Sequence, residues 1–270
     1  MGRRSPVAVT PAAGMAQLSL NAMVPPLESV RWMFKRSDDG PTEWFWDDWG
    51  APALDELQPV RKPRSSKKNR HLPVTAFSMT MEAHLELESG LEHDLLRVVD
   101  RDPTVRLIVA QPLTLERVKK KSGSRSRMTH TPDLLTARAD GEVTLWDARA
   151  EEQVDDDFRM KAELTRRCCR DVGWRYQHFS GLTNVQRLNL LWLHGFRRRP
   201  PWVDDFEAGV RSAAAAGNTT VEVFRALDDG TGRAISTFWH LVWRGDLGID
   251  VSAPITTRSV VTSTEGRANV

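Results

Sequence analysis

Asp133 follows Pro132, and after thirteen intervening residues comes Asp147, in the stretch HTPDLLTARADGEVTLWDAR (130–149). Asp133 falls at the start of an apolar β-rich run and Asp147 near the end of the next. Antiparallel neighbours of this kind bring two carboxylates close together. Two anions that close repel unless a cation sits between them. Hard oxygen donors suit Mg²⁺ or Mn²⁺. Such an ion polarises a phosphodiester and lowers the pKa of a bound water, which is the chemistry of metal-assisted hydrolysis. The plainer alternative has Asp133 capping a turn and Asp147 facing solvent.

Two further groups bear on that chemistry. Arg149 lies two residues after Asp147, and the order Pro-Asp, then Asp-x-Arg, resembles the metal-nuclease constellation PD…(D/E)xK with arginine in the lysine position. Arginine stays protonated and cannot act as a general base. It can hold a phosphate oxygen and stabilise charge in the transition state. Its alternative role is a surface ion pair at a site without catalysis. Glu92 is the third acid. Ser89-x-x-Glu92 is also a capping box, in which Glu92 reaches back to the Ser89 backbone N–H. Glu86 and Glu88 compete with it at or before the helix start. Direct ligands lie about 2.0–2.6 Å from an ion, so a Glu92 carboxylate more than about 8 Å from Asp133 would fall outside the site.

The elements that must position these residues follow in order. Residues 85–100 have Leu91, Leu95, Val98 and Val99 on one helical face, and Asp102-Pro103 ends the run. Residues 105–109 and 113–118 read as strands with a turn near Gln111-Pro112. Residues 119–127, KKKSGSRSR, read as a basic loop. Residues 131–137 and 142–148 form a hairpin turning at Asp140-Gly141. Helix 156–172, strand 174–179 and helix 184–194 complete a mixed sheet flanked by helices. From Pro200 the pattern is an Ala-rich helix 203–216, a short helix from Thr219 or Thr220 to Leu227, a third over 231–243 and two β-rich runs in 248–261. Three helices and a hairpin are the winged-helix order. The third helix carries only Arg233 as a strong base, which favours a protein partner over DNA there.

Residues 1–28 are rich in Pro, Ala and Gly, and the start is expected to be disordered. Residues 29–58 carry Trp32, Trp44, Trp46 and Trp49, a density that points to a small extension packed on a body. RKPRSSKKNR, 61–70, reads as a flexible basic linker. The chain divides into 1–70, a nuclease-type core at 71–198 and a winged-helix domain at 199–270.

The net charge of +2 does not announce a nucleic-acid binder, but the charge is segregated. Residues 61–80 hold six Lys/Arg and no acid; residues 81–102 hold seven acids; residues 103–131 hold seven bases; residues 132–157 hold nine acids. Alternating blocks suit an acidic centre with basic walls. Lys119, Lys120, Lys121, Arg125 and Arg127 would grip DNA phosphates without reading sequence. His130 has no second histidine nearby, so a metal role is not expected. Trp174, Trp192, Phe179 and Phe196 are expected in the core. The adjacent Cys168 and Cys169 are a poor disulfide pair and suit a reducing cytosol. No apolar run is long enough to span a membrane, and the expected location is cytoplasmic.

Taken together, SGLEHDLLRVVDRDPTV (89–105), QPL (111–113), HTPDLL (130–135) and VTLWDARA (143–150) resemble the TnsA-like endonuclease subunit of heteromeric transposons. GWRYQHF and NLLWLHGFRR extend the likeness to about residue 196. The resemblance implies a restriction-endonuclease-like α/β core with a C-terminal winged helix. It implies Mg²⁺-dependent (or Mn²⁺-dependent) nicking of double-stranded DNA at the 5′ ends of a transposon, beside a partner transposase and an ATPase regulator. Carried over, Glu92, Asp133 and Asp147, with the Ala148 carbonyl, hold the metal, and Arg149 clamps the scissile phosphate. If so, Arg149→Lys preserves or raises activity. The rival readings are a catalytically silent DNA-binding or assembly factor on the same fold, and a defence or repair nuclease.

Overall fold

The computed structural model describes residues 30–62, 73–121, 124–215, 217–227 and 229–263, with the backbone alone for residues 118–121 and 124–126. The expectations for residues 1–28 and for most of the 61–70 linker lie outside the described residues, as do the side chains of Lys119, Lys120, Lys121 and Arg125.

Two four-stranded sheets carry the architecture. The first has strands β1 (Val30–Phe34), β2 (Thr42–Trp44), β6 (Leu113–Lys121) and β7 (Ser124–His130) in the order β2-β1-β6-β7. The second has β5 (Val105–Ala110), β8 (Leu134–Arg138), β9 (Val143–Ala148) and β10 (Arg175–Phe179) in the order β10-β9-β8-β5. All pairs are antiparallel except β9 with β10. A parallel pair needs a long crossover. Helix α3 (Asp156–Asp171) provides it, capped by Asp155, whose side chain accepts from the Phe158 N–H. The α/β class with a mixed sheet therefore stands.

Trp32 and Trp44 are part of the main core and Trp46 packs against it, whereas Trp49 is exposed. Strand β1 pairs with β6 over Val30–Phe34 and Leu113–Arg117. Trp32 and Phe34 face inward, and Trp32, Phe34 and Trp46 each pack on Trp174, with ring centroids 5.2–6.4 Å apart. Residues Trp46–Trp49 make a single helical turn, α1. Edge-to-face packing of large rings dominates burial here. Cys168 and Cys169 are buried and unpaired beside this cluster, and burial pushes the Cys168 thiol up to about 12.

Three expectations change. Residues 85–87 are not helical: they belong to strand β4 (Ala83–Leu87), which pairs with β3 (Val74–Ser78), and helix α2 (Gly90–Asp100) begins after its N-cap Ser89. The β3–β4 turn is tied down by Asp100, which accepts from Ser78 Oγ, Met79 N and Thr80 N. Strands β5 and β6 are not a hairpin; they enter different sheets, and the chain crosses over at Gln111, whose φ is +42°. The basic loop is a pair of strands, because β6 and β7 run on in register from Leu115↔His130 to Lys121↔Ser124.

Beyond α4 (Asn184–Leu193), a separate apolar cluster is built from α5 (Val203–Ala215), α6 (Thr220–Leu227), α7 (Arg233–Trp243) and the antiparallel pair β11 (Leu247–Ile249) and β12 (Val261–Ser263). Helix α7 is its centre, with Thr237 to Trp243 all buried. A helix covered in this way cannot lie in a DNA groove. Trp192 differs from expectation: it is 46% exposed, with Leu188 and Leu191 beside it on α4. No helix of the described residues is long and apolar enough to cross a membrane.

Candidate metal centre

An open cleft of about 1450 Å³ lies between the first turn of α2, the β8–β9 pair and α3. Its acidic floor is assembled from two elements. Helix α2 contributes Glu92, and the residue just before its cap contributes Glu88. The segment ahead of β8 contributes Asp133. Ligand oxygens of Glu88, Glu92 and Asp133 all lie within 4.8 Å of one another.

Each carboxylate is held from behind. Ser89 Oγ accepts from the Glu92 N–H at 3.1 Å and donates to Glu92 Oε1 at 2.9 Å. Glu92 Oε2 accepts from the Glu88 N–H at 2.8 Å and from Gln111 Nε2 at 3.4 Å. The expected reach to the Ser89 N–H is thus replaced by one to the preceding residue, which draws Glu88 toward Glu92. Asp133 Oδ2 accepts from the Ala148 N–H at 2.7 Å, and the Asp133 N–H donates to Trp146 O at 2.8 Å. The antiparallel register therefore makes Asp133 and Asp147 neighbours, as their spacing implied.

Asp147 lines the same cleft, next to the trio, but its carboxylate is engaged from the other side. It is buried, and its Oδ2 accepts from Tyr176 Oη at 2.5 Å and pairs with His130 Nε2 at 2.8 Å. Its charge still reaches Asp133. Burial first, then Glu92 and Asp147, raise the Asp133 carboxyl well above the ordinary range, against the Ala148 N–H. Burial also raises Glu92. The Asp147 carboxylate raises Tyr176 further beyond the effect of burial.

Arg149 does not reach the trio. Its Nε donates to Gln153 O at 2.8 Å, its Nη2 lies 3.8 Å from Asp155 Oδ2 and its guanidinium covers the Phe158 ring at 5.2 Å. The side chain runs along the rim of the cleft. Lys161 also lines the cleft, paired with Asp157 at 2.7 Å. Arg127 is exposed and pairs with Glu116 on the neighbouring strand.

The trio fits a hard divalent cation. It offers only carboxylate oxygens, and they are clustered, so their mutual repulsion favours a cation among them. Gln111 adds a further sign, because its Oε1 is buried without a partner among the described residues. In the sequence Glu88 stands only as a competitor of Glu92. His130 is set aside there for want of a second histidine, although a carboxylate is its partner. Tyr176 is the chain's single tyrosine and was passed over. A buried tyrosine hydroxyl needs a polar partner, which was the available cue.

Residues 102–181 match the family model of the TnsA-like endonuclease N-terminal domain. This region of the chain is TnsA-like. The match supports a nuclease of the transposition type. The TnsA-like segment lies inside the sequence resemblance, which runs from residue 89 to about 196, and Gln111, Asp133, Asp147 and Arg149 fall within it. Glu88 and Glu92 sit upstream, brought to it by the fold. No curated protein matches the chain.

Proposed function

We propose that the chain is the metal-dependent DNA endonuclease subunit of a heteromeric transposase, hydrolysing phosphodiester bonds at the 5′ ends of the element. The observation that carries this is the convergence of Glu88 and Glu92 with Asp133 of the TnsA-like segment, within 4.8 Å on the floor of one cleft. Glu88, Glu92 and Asp133 would hold Mg²⁺ or Mn²⁺. The ion, when bound, supplies Lewis acidity to a phosphoryl oxygen and acidifies its water. The chain's own groups do the rest. Ser89 and Gln111 orient Glu92, and the Ala148 N–H fixes the rotation of Asp133. Tyr176 and His130 fix Asp147, whose negative charge keeps the centre attractive to cations. The strand pair β6–β7, with its basic tip, and Lys161 on α3 would line the DNA path. The C-terminal helices and strand pair suit a winged-helix module. Its third helix is buried and not available for DNA reading, so docking of the partner transposase or ATPase regulator would use other surfaces of this unit.

One observation favours a second reading, a nuclease-fold assembly factor without activity: Arg149, in the lysine position, spends its guanidinium on Gln153 and Phe158. A nicking assay separates the two. Full-length protein with Mg²⁺ or Mn²⁺ and supercoiled plasmid, with the partner transposase present, should convert plasmid to nicked circles. Asp133→Ala should lower the rate by at least about 10³-fold. Equal inertness of wild type and variant would leave the assembly factor as the function.

A further inference from the structure

The cation that stands inside the acidic trio comes from outside the motif. Arg61 Nη2 lies 2.8 Å from Glu88 Oε2, and its charge also stabilises the ionised Glu92. Three other cations of the cleft are committed elsewhere, Arg149 to Gln153 O, Lys161 to Asp157 and Arg187 to Asp94, while Lys62 lines the cleft beside Arg61. Arg61 is placed by main-chain bonds rather than by chance. The Gln58 N–H donates to Lys35 O at 2.8 Å, and the Val60 N–H donates to Gln111 O at 2.9 Å. Gln111 in turn donates from its own N–H to Asp133 O at 2.9 Å and from Nε2 to Glu92. One residue therefore anchors the segment that delivers Arg61 and supports two of the three acids.

We propose that Arg61 is a phosphate-binding residue of this centre, competing with a divalent cation for Glu88 and turning to a non-bridging oxygen of a DNA phosphate once the cation takes that carboxylate. The proposal rests on the nuclease reading above. An arginine fork matches phosphate geometry and stays charged at every working pH. Among the described residues Arg61 pairs directly with a member of the trio, so it does not have to leave a remote pair to reach the reacting phosphate.

The test uses full-length wild type, Arg61→Gln, Arg61→Lys and Asp133→Asn. Mn²⁺ binding is followed by electron paramagnetic resonance without DNA, and plasmid nicking is measured at saturating DNA with the partner transposase. Arg61→Gln should bind Mn²⁺ about two- to fivefold more tightly, the worth of an exposed ion pair that the metal no longer displaces. It should nick at least about tenfold more slowly, in kcat, through loss of a charged donor at the phosphate. Arg61→Lys should recover part of the nicking. Arg61 is half-exposed, so unchanged melting curves are expected for both variants. Nicking by Arg61→Gln at the wild-type rate, or Mn²⁺ binding that is unchanged or weaker, overturns the proposal while leaving the nuclease reading intact. If wild type shows no Mn²⁺ site that Asp133→Asn removes, the nuclease reading fails and this assignment falls with it.

Discussion

Three carboxylates within 4.8 Å are an unfavourable arrangement in the absence of a cation, and the sign of the effect follows from Asp133 and Glu92. Both have folded-state pKa values raised, by burial first. The folded protein therefore binds more protons than the unfolded chain once pH exceeds the ordinary carboxylate value of about 4. Stability from these groups is complete below that value and is lost as pH rises through the folded values. In EDTA, the difference in unfolding free energy between wild type and Asp133→Asn should shift in favour of the variant as pH is raised from about 4 to 7. At neutral pH the variant should be the more stable by on the order of 1 kcal/mol, although it nicks nothing. Urea titrations across that range measure it, and a variant less stable than wild type at pH 7 would mean that the carboxylates do not strain the fold. The acids themselves were legible because their types are unambiguous: Asp133 after proline, Glu92 three residues after a capping serine. Their allegiances were not. Whether Asp147 turns to an ion or to Tyr176 depends on a residue 29 positions away, which no local pattern encodes.

At the scale of elements, periodicity identified α2, α3, the β8–β9 hairpin with Gly141 at φ +88°, and the helices beyond Pro200. It failed where a segment's partner is distant. The basic run after Val118 has the composition of a loop, yet β1 pairs with β6 and holds the long hairpin in register. The helical spacing of Leu91, Leu95, Val98 and Val99 marks the helix but not its start, and only pairing with β3 assigns residues 85–87 to a strand. The N-terminal tryptophans are expected to pack on a body, and the structure builds Trp32 and Trp44 into its core. Trp32 sits among Phe34, Trp46 and Trp174 with ring centroids 5.2–6.1 Å away. Trp32→Ala should therefore cost about 3–5 kcal/mol in urea unfolding, the range for deleting a buried aromatic. A loss below about 1 kcal/mol, near the typical surface value, would show that residues 30–44 are a dispensable appendage. Because the same segment leads directly to Arg61, this packing also fixes the entry of that arginine to the cleft.

Across the whole molecule, the α2 helix that presents Glu92 at its first turn is bolted at its other end to the C-terminal unit. Arg101, just past α2, donates from Nε to Trp243 O at 3.2 Å and from Nη2 to Val242 O at 3.1 Å. These are carbonyls of the last turn of α7, where a cation also complements the helix dipole. Burial lowers the Arg101 pKa, so the guanidinium has given up water for those two acceptors. On the far side, Asn189 Nδ2 donates to Val251 O and Ala253 O at 2.9 and 2.7 Å. The centre and the proposed docking module therefore share one rigid rod. Arg101→Ala should remove two charged hydrogen bonds and cost roughly 2–4 kcal/mol. It should also split unfolding into two steps, because the α7 cluster has its own apolar core and loses its main polar tie to α2. Tryptophan fluorescence and far-UV circular dichroism would then give separate urea midpoints, whereas coincident curves would show that apolar contact alone couples the units. With the split, plasmid nicking should persist to the denaturant concentration at which the α2 half unfolds. Stimulation by a partner docked on the C-terminal unit should vanish earlier, since the rod would no longer carry the docked state to Glu92.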